Sequence, residues 1–109
     1  MESKDNELSA LLDFDLLKNL VVGIGEVSKI TGIPTRKIRY WEDKGAIQPE
    51  NEKEGSTRRY NYLNIKKMLL IQEILDEGYT LDSAIEKVNK RMIAMDEAFK
   101  RLADTLDNE

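Results

Sequence analysis

The chain has 109 residues, 40% hydrophobic and 35% charged, with six Gly and two Pro, a balance that fits one helix-rich globular domain and excludes a disordered or fibrous chain. It contains neither Cys nor His, which removes disulfides, thiolate and imidazole metal sites, cysteine nucleophiles and histidine bases, so no metal, cofactor or catalytic residue is expected. The net charge is −4, the longest apolar run, Leu20 to Ile24, falls far short of the ~20 residues that span a bilayer, and the polar, acidic start does not read as a signal sequence. The expectation is a cytoplasmic, nucleoid-associated protein with no membrane partner.

In chain order, a polar segment precedes Leu8, Leu11, Leu12, Leu16 and Leu20, which recur at helical spacing, with Phe14, Leu17 and Val21 widening the stripe. This predicts an amphipathic helix, punctuated by Gly23 and Gly25. Glu26–Thr31 reads as a two-turn helix with Val27 and Ile30 inward and Gly32 as its stop. Pro34 opens a further helix over Thr35–Lys44, which places Ile38 and Trp41 on one face, leaves Arg36, Arg39 and Tyr40 largely outside it, and ends at Gly45. Ile47–Pro49 and Thr57–Tyr60 have strand character on either side of the polar segment 50–56, which predicts a small hairpin. Asn61 is placed to cap a helix running to Glu77, with Ile65, Met68, Leu69, Ile74 and Leu75 as its core face and Gly78 as its stop. Thr80 or Leu81 begins the last helix, and no internal repeat interrupts the chain.

Two short helices around a glycine turn are what a helix-turn-helix needs. The glycine tolerates a positive φ, the apolar residues lock the helices at a steep angle, and the second helix projects its polar face outward. That face is cationic, since Arg36 and Arg39 stand one turn apart and Tyr40 four residues beyond Arg36, an arrangement suited to a major groove. The charge distribution agrees. Residues 23–70 hold ten Lys/Arg against six Asp/Glu, a local +4, whereas residues 1–22 carry −3 and residues 71–109 carry −5; phosphate affinity depends on the local patch rather than the total.

The run from Ile24 to Ile47, IGEVSKITGIPTRKIRYWEDKGAI, followed by Arg58-Arg59-Tyr60, resembles the N-terminal DNA-binding domain of MerR-family regulators. The family's Arg-Tyr-Tyr-Glu signature is present as Arg39-Tyr40-Trp41-Glu42, with Trp where Tyr is usual, and the Arg-Tyr end of the wing as Arg59-Tyr60. The resemblance covers residues 24–90. It implies a mainly α, winged helix-turn-helix fold with a small two-stranded wing plus N- and C-terminal amphipathic helices. It further implies that Thr35, Arg36, Arg39 and Tyr40 dock in the major groove while Arg58, Arg59 and Tyr60 hold the backbone of double-stranded DNA. Trp41 is assigned to the core. Lys66 and Lys67, at the start of the following helix, divide between phosphate contact and plain solvation. Many members carry an effector-binding domain after a long dimerisation helix. Here the chain ends at Glu109 without one and has about twenty residues ahead of the motif, as in the short glutamine-repressor-type members, so a regulatory protein partner is a further expectation.

Leu81, Ile85, Val88, Met92, Met95, Phe99, Leu102 and Leu106 are spaced alternately by four and three, a heptad seam on one uninterrupted helix. A seam reaching beyond the globular part must be covered, either by folding back on its own monomer or by a partner helix; the second is preferred, with Met92, Met95, Phe99, Leu102 and Leu106 as dimerisation residues. Leu8, Leu12 and Leu16 form an alternative dimer element. The expected organisation is an N-terminal extension over 1–22, a DNA-binding domain over 23–90 and a helical dimerisation segment over 91–109. The expected function is a sequence-specific, homodimeric transcriptional regulator on a pseudo-palindromic site. An architectural or recombination-directing DNA binder and a module that sequesters another regulator are the alternatives; an enzyme is not expected, because no paired carboxylates or phosphate loop stand out.

Overall fold

A computed structural model describes residues 14–50 and 57–107. Along the chain lie α1 (Phe14–Asn19), β1 (Val21–Gly23), α2 (Ile24–Thr31), α3 (Thr35–Asp43), β2 (Arg59–Asn61), α4 (Tyr62–Asp76) and α5 (Leu81–Asp107). The fold is the expected mainly helical, winged helix-turn-helix with one two-stranded antiparallel sheet. Among the described residues no helix is long and apolar enough to cross a membrane.

The turn between α2 and α3 is built from three consecutive residues. Thr31 Oγ1 donates to the Val27 carbonyl at 2.8 Å and accepts from the Ile33 amide at 3.1 Å. Gly32 between them takes φ 79° and returns its own amide to the Ser28 carbonyl at 2.8 Å, a left-handed conformation that a side chain would oppose. Ile33 is then buried, and the chain re-enters a helix behind Pro34, whose ring suits a helix start. Gly45 repeats the device at the end of α3, with φ 79° and the Ala46 amide returning to the Trp41 carbonyl at 2.8 Å. Asn61 caps α4 through a reciprocal pair: its side chain accepts from the Asn64 amide at 2.9 Å while that of Asn64 accepts from the Asn61 amide at 3.0 Å.

One core unites these elements, with Val27, Ile38, Trp41, Tyr60, Met68, Ile71, Ile74 and Val88 fully buried. The structure departs from sequence expectation in three places. The N-terminal amphipathic helix stops at Asn19, and Val21–Gly23 leaves it to pair with Arg59–Asn61; two consecutive β-branched valines facing an open strand edge favour extended backbone. β2 accordingly takes β1 as its partner rather than Ile47–Pro49, where Pro49 has no amide to contribute. The wing arms stay joined at their base by the Glu50 amide to the Arg59 carbonyl at 2.9 Å, Asn64 Nδ2 to the Gln48 carbonyl at 2.9 Å and Asn61 Nδ2 to Glu50 Oε2 at 2.6 Å. The third departure concerns Ile30 and Leu69, expected inward but 62% and 39% exposed. Ile24 and Thr31 fall on one side of Val27 around α2, so Ile30 is turned away; on α4 the inward arc runs through Met68, Ile71, Ile74 and Leu75, and Leu69 lies outside it.

Helix α5 packs antiparallel on α4. Ala84 and Val88 are fully buried, and Leu81, Ile85 and Met92 pack partly against the same core. Farther along, Phe99 meets Tyr62 at the start of α4, ring centroids 6.4 Å apart. Met92 and Phe99 are therefore at least partly covered within their own chain. In equilibrium urea unfolding, Trp41→Ala is expected to cost about 3–5 kcal/mol through cavity formation, whereas Ile30→Ser is expected to stay within about 0.5 kcal/mol of the parent, as a surface change does.

Candidate nucleic-acid interface

Helix α3 divides its side chains sharply. Ile38 and Trp41 face the core, Arg36, Arg39, Tyr40 and Lys44 are exposed, and Thr35 at the first turn is half-buried. Tyr40 is 51% exposed, with the Lys44 ammonium 5.7 Å from its ring centroid, so a phenol and two kinds of cation share the outward strip. Lys37 behaves differently. Its Nζ donates to Gln72 Oε1 at 2.8 Å and lies 5.7 Å from the Trp41 ring centroid, and Gln72 is held in turn by Asp76 at 2.8 Å. This lysine is directed to α4 rather than to the outward strip.

The wing meets α3 at Glu42. That carboxylate is largely covered, with its side chain 11% exposed. Oε1 pairs with Arg58 Nε at 3.0 Å, and Oε2 accepts a hydrogen bond from the Tyr60 hydroxyl. Arg58 remains 52% exposed. Burial pushes the Tyr60 phenol well above its ordinary value of 10.0, and the hydrogen bond to Glu42 and the negative charge of Glu42 push in the same direction, because each disfavours a phenolate. The charges of Arg58 and Arg39 pull the other way. Both guanidinium groups are thus within electrostatic range of one buried hydroxyl, which brings a cation of α3 and a cation of the wing together.

The remaining expected residues are more dispersed. Arg59 is exposed and passes beside Gly23, its partner in the strand register; a Cβ placed on that glycine would meet Arg59 Nη1 at 3.7 Å. Neighbouring arginines therefore turn to different partners, Arg58 to α3 and Arg59 to β1. Tyr60 is fully buried, so its phenol serves the joint between wing and helix. Lys66 and Lys67 are half-buried on α4, and burial lowers the Lys67 ammonium below the usual lysine value. Among the dimerisation residues, Leu16 and Leu102 are 56% and 43% exposed, and Met95 is half-buried. Leu8 and Leu12 lie outside the described residues, as does the side chain of Leu106. Sequence reasoning passed over Lys44 and Glu42. The i,i+4 spacing from Tyr40 to Lys44 could have found the first; the second depends on a contact eighteen residues away in sequence.

Because the folded state raises the Tyr60 phenol, the stability this residue contributes is complete below about pH 10, the ordinary tyrosine value, and is lost as pH rises above it. Phenolate absorbance titration of the native chain should show a late ionisation that Tyr60→Phe removes, together with a shallower alkaline decline of urea stability in that variant.

Three comparisons place this geometry among known proteins. The sequence profile of the MerR HTH family regulatory proteins matches residues 23–90. The HTH-type transcriptional regulator CueR of Escherichia coli is 31% identical over 68 residues, covering 62% of this chain and 50% of CueR. The HTH-type transcriptional regulator TnrA of Bacillus subtilis is 30% identical over 71 residues, covering 65% and 64%, and GlnR of Bacillus cereus is 33% identical over 58 residues, covering 53% and 44%. The matches thus span about half to two thirds of these relatives' lengths. A solved MerR-family transcriptional regulator from Bacillus cereus shares the fold, with TM-score 0.55 and 17% identity over 82% of this chain and 79% of the other.

Proposed function

The chain belongs to the MerR family of helix-turn-helix regulatory proteins, and from that premise we propose that it is a sequence-specific DNA-binding regulator of transcription rather than an enzyme. The observation that carries this reading is the outward strip of α3, where Arg36, Arg39, Tyr40 and Lys44 are exposed beside the half-exposed Arg58 of the wing. Thr35, Arg36, Arg39 and Tyr40 enter a major groove, where arginine forks read guanine edges. Lys44, Arg58 and Arg59 grip the flanking phosphates, with Lys66 and Lys67 as secondary contacts. Tyr60 supports the wing from beneath. The acidic charge of residues 1–22 and 71–109 leaves the basic stretch between them as the part of the chain suited to a polyanion.

The chain acts as a cytoplasmic homodimer on a pseudo-palindromic site, two recognition helices occupying successive major grooves. Leu16 and Leu102 are the candidate contacts whose exposure suits a partner surface, and Leu102→Glu or Leu16→Glu should lower the sedimenting mass toward that of a monomer. The relatives named above are transcriptional regulators, which supports promoter control as the setting.

Selection of duplexes from a random pool yields the site and its symmetry. On the selected duplex, log affinity should fall with log salt by roughly 0.9 for each phosphate neutralised; a flat dependence would sink the reading. Arg36→Ala and Arg39→Ala should each cost about 1–3 kcal/mol on the selected duplex and much less on a random one, whereas Arg59→Ala should weaken both alike. Quantitative gel shifts at fixed salt measure the contrast.

A further inference from the structure

Glu42 is out of place on electrostatic grounds. It lies on the helix assigned to meet DNA, next to residues assigned to phosphates, and a carboxylate there repels the ligand. It is also largely covered, with its side chain 11% exposed, and a carboxylate removed from water is costly unless its oxygens are paired. Both are paired, and both partners come from the other arm of the interface: Tyr60 Oη on Oε2 and Arg58 Nε on Oε1. The Tyr60 ring is anchored in the core, so Oε2 is held by a fixed donor, and this settles where Oε1 stands.

Arg58 is therefore held on its Nε edge. A guanidinium offers five N–H donors in a rigid plane, and engagement of Nε at 3.0 Å leaves the Nη edge of a side chain that is 52% exposed to meet a second anion. With one edge fixed by a carboxylate of α3, the other edge has a set distance from Arg39, one turn earlier on the same helix. Phosphate contacts fix register and orientation on a duplex, so a wing cation rigidly referenced to the recognition helix holds that helix in one register.

We propose that Glu42 is a positioning residue that sets the DNA register of the recognition helix by fixing the wing residue Arg58 against α3. The proposal rests on the functional reading above. Glu42 touches no DNA itself; it acts through Arg58. Its negative charge weakens attraction to any duplex, while the order it imposes favours the correct one.

The test is a double-mutant cycle of Glu42→Gln and Arg58→Ala, read by gel shift on two probes, the duplex selected by the parent chain and a random-sequence duplex of equal length. Glu42→Gln keeps the size of the side chain and an oxygen for Tyr60, and removes the charge that holds Arg58. Its expected effect is equal or tighter binding to the random duplex and a loss of about tenfold in the preference for the selected one, the scale of a single charge-assisted contact. In the Arg58→Ala background Glu42→Gln should change that preference little, because the residue it acts through is gone. A role confined to folding would instead lower binding to both probes by the same factor and persist without Arg58, and either result overturns the proposal. Glu42→Asp, too short to span both partners, should reproduce the loss of preference; an unchanged preference in that variant also counts against the proposal. Urea midpoints of all five chains, with the folded fraction applied to each affinity, remove any contribution from unfolding. Should the parent bind no duplex, the functional reading fails and this proposal with it; should the parent bind and the cycle prove additive, this proposal alone fails.

Discussion

The fold turns on the burial of one phenol. Tyr60 belongs to β2, yet its ring lies fully buried in the core that contains Trp41 and Ile38 of α3, and its hydroxyl is bonded to Glu42 on that helix. A buried hydroxyl without a partner would cost the free energy of a lost hydrogen bond, so this contact binds strand to helix by penalty as much as by attraction. Because β2 also pairs with β1 and leads directly into the capped start of α4, its position is transmitted to three other elements. The outward direction of Arg36, Arg39 and Tyr40 follows, since a helix with Ile38 and Trp41 facing inward has little freedom to roll.

Electrostatic selection follows packing on this framework. Not every cation of the basic stretch belongs to its exposed face: Lys37 reaches to Gln72 on α4, and Lys67 is partly desolvated. The cations that reach outward from α3 are those its core residues direct there, with Arg58 joined to them through Glu42. A net acidic chain can thus present a basic surface, because phosphate senses charges within about a Debye length, roughly 10 Å at 0.1 M salt.

The long last helix serves two regions. Its first half, through Ala84, Val88 and Met92, completes the core begun by α4. Its second half follows α4 back to Tyr62, the residue after β2, where Phe99 lies against that ring. The heptad seam is continuous in sequence but divided in use: residues early in the seam are covered by their own domain, while Leu102 remains 43% exposed. A chain too small to bury a large core commonly leaves such a surface.

Local signals determined much of this molecule. The αL glycine at Gly32 with Ile33 behind it, the Ile38–Trp41 face, the Asn61 cap and the uninterrupted α5 all arise from interactions within a few residues, and periodicity and capping rules express such interactions directly. The cationic strip of α3 was legible for the same reason, since neighbours on a helix face are close in sequence. Tertiary structure decided the rest. Val21 and Val22 could extend a helix or form a strand, and the open edge of β2, nearly forty residues later, settled the matter. Lys37 and Arg39 are two positions apart and equally charged; only the placement of α4 sent one inward. Glu42 looks in sequence like an ordinary surface acid, and it became the joint between wing and helix because folding brought Arg58 and Tyr60 against it. Pairing across long separations depends on which surfaces the packed core leaves adjacent, and no local pattern encodes that adjacency.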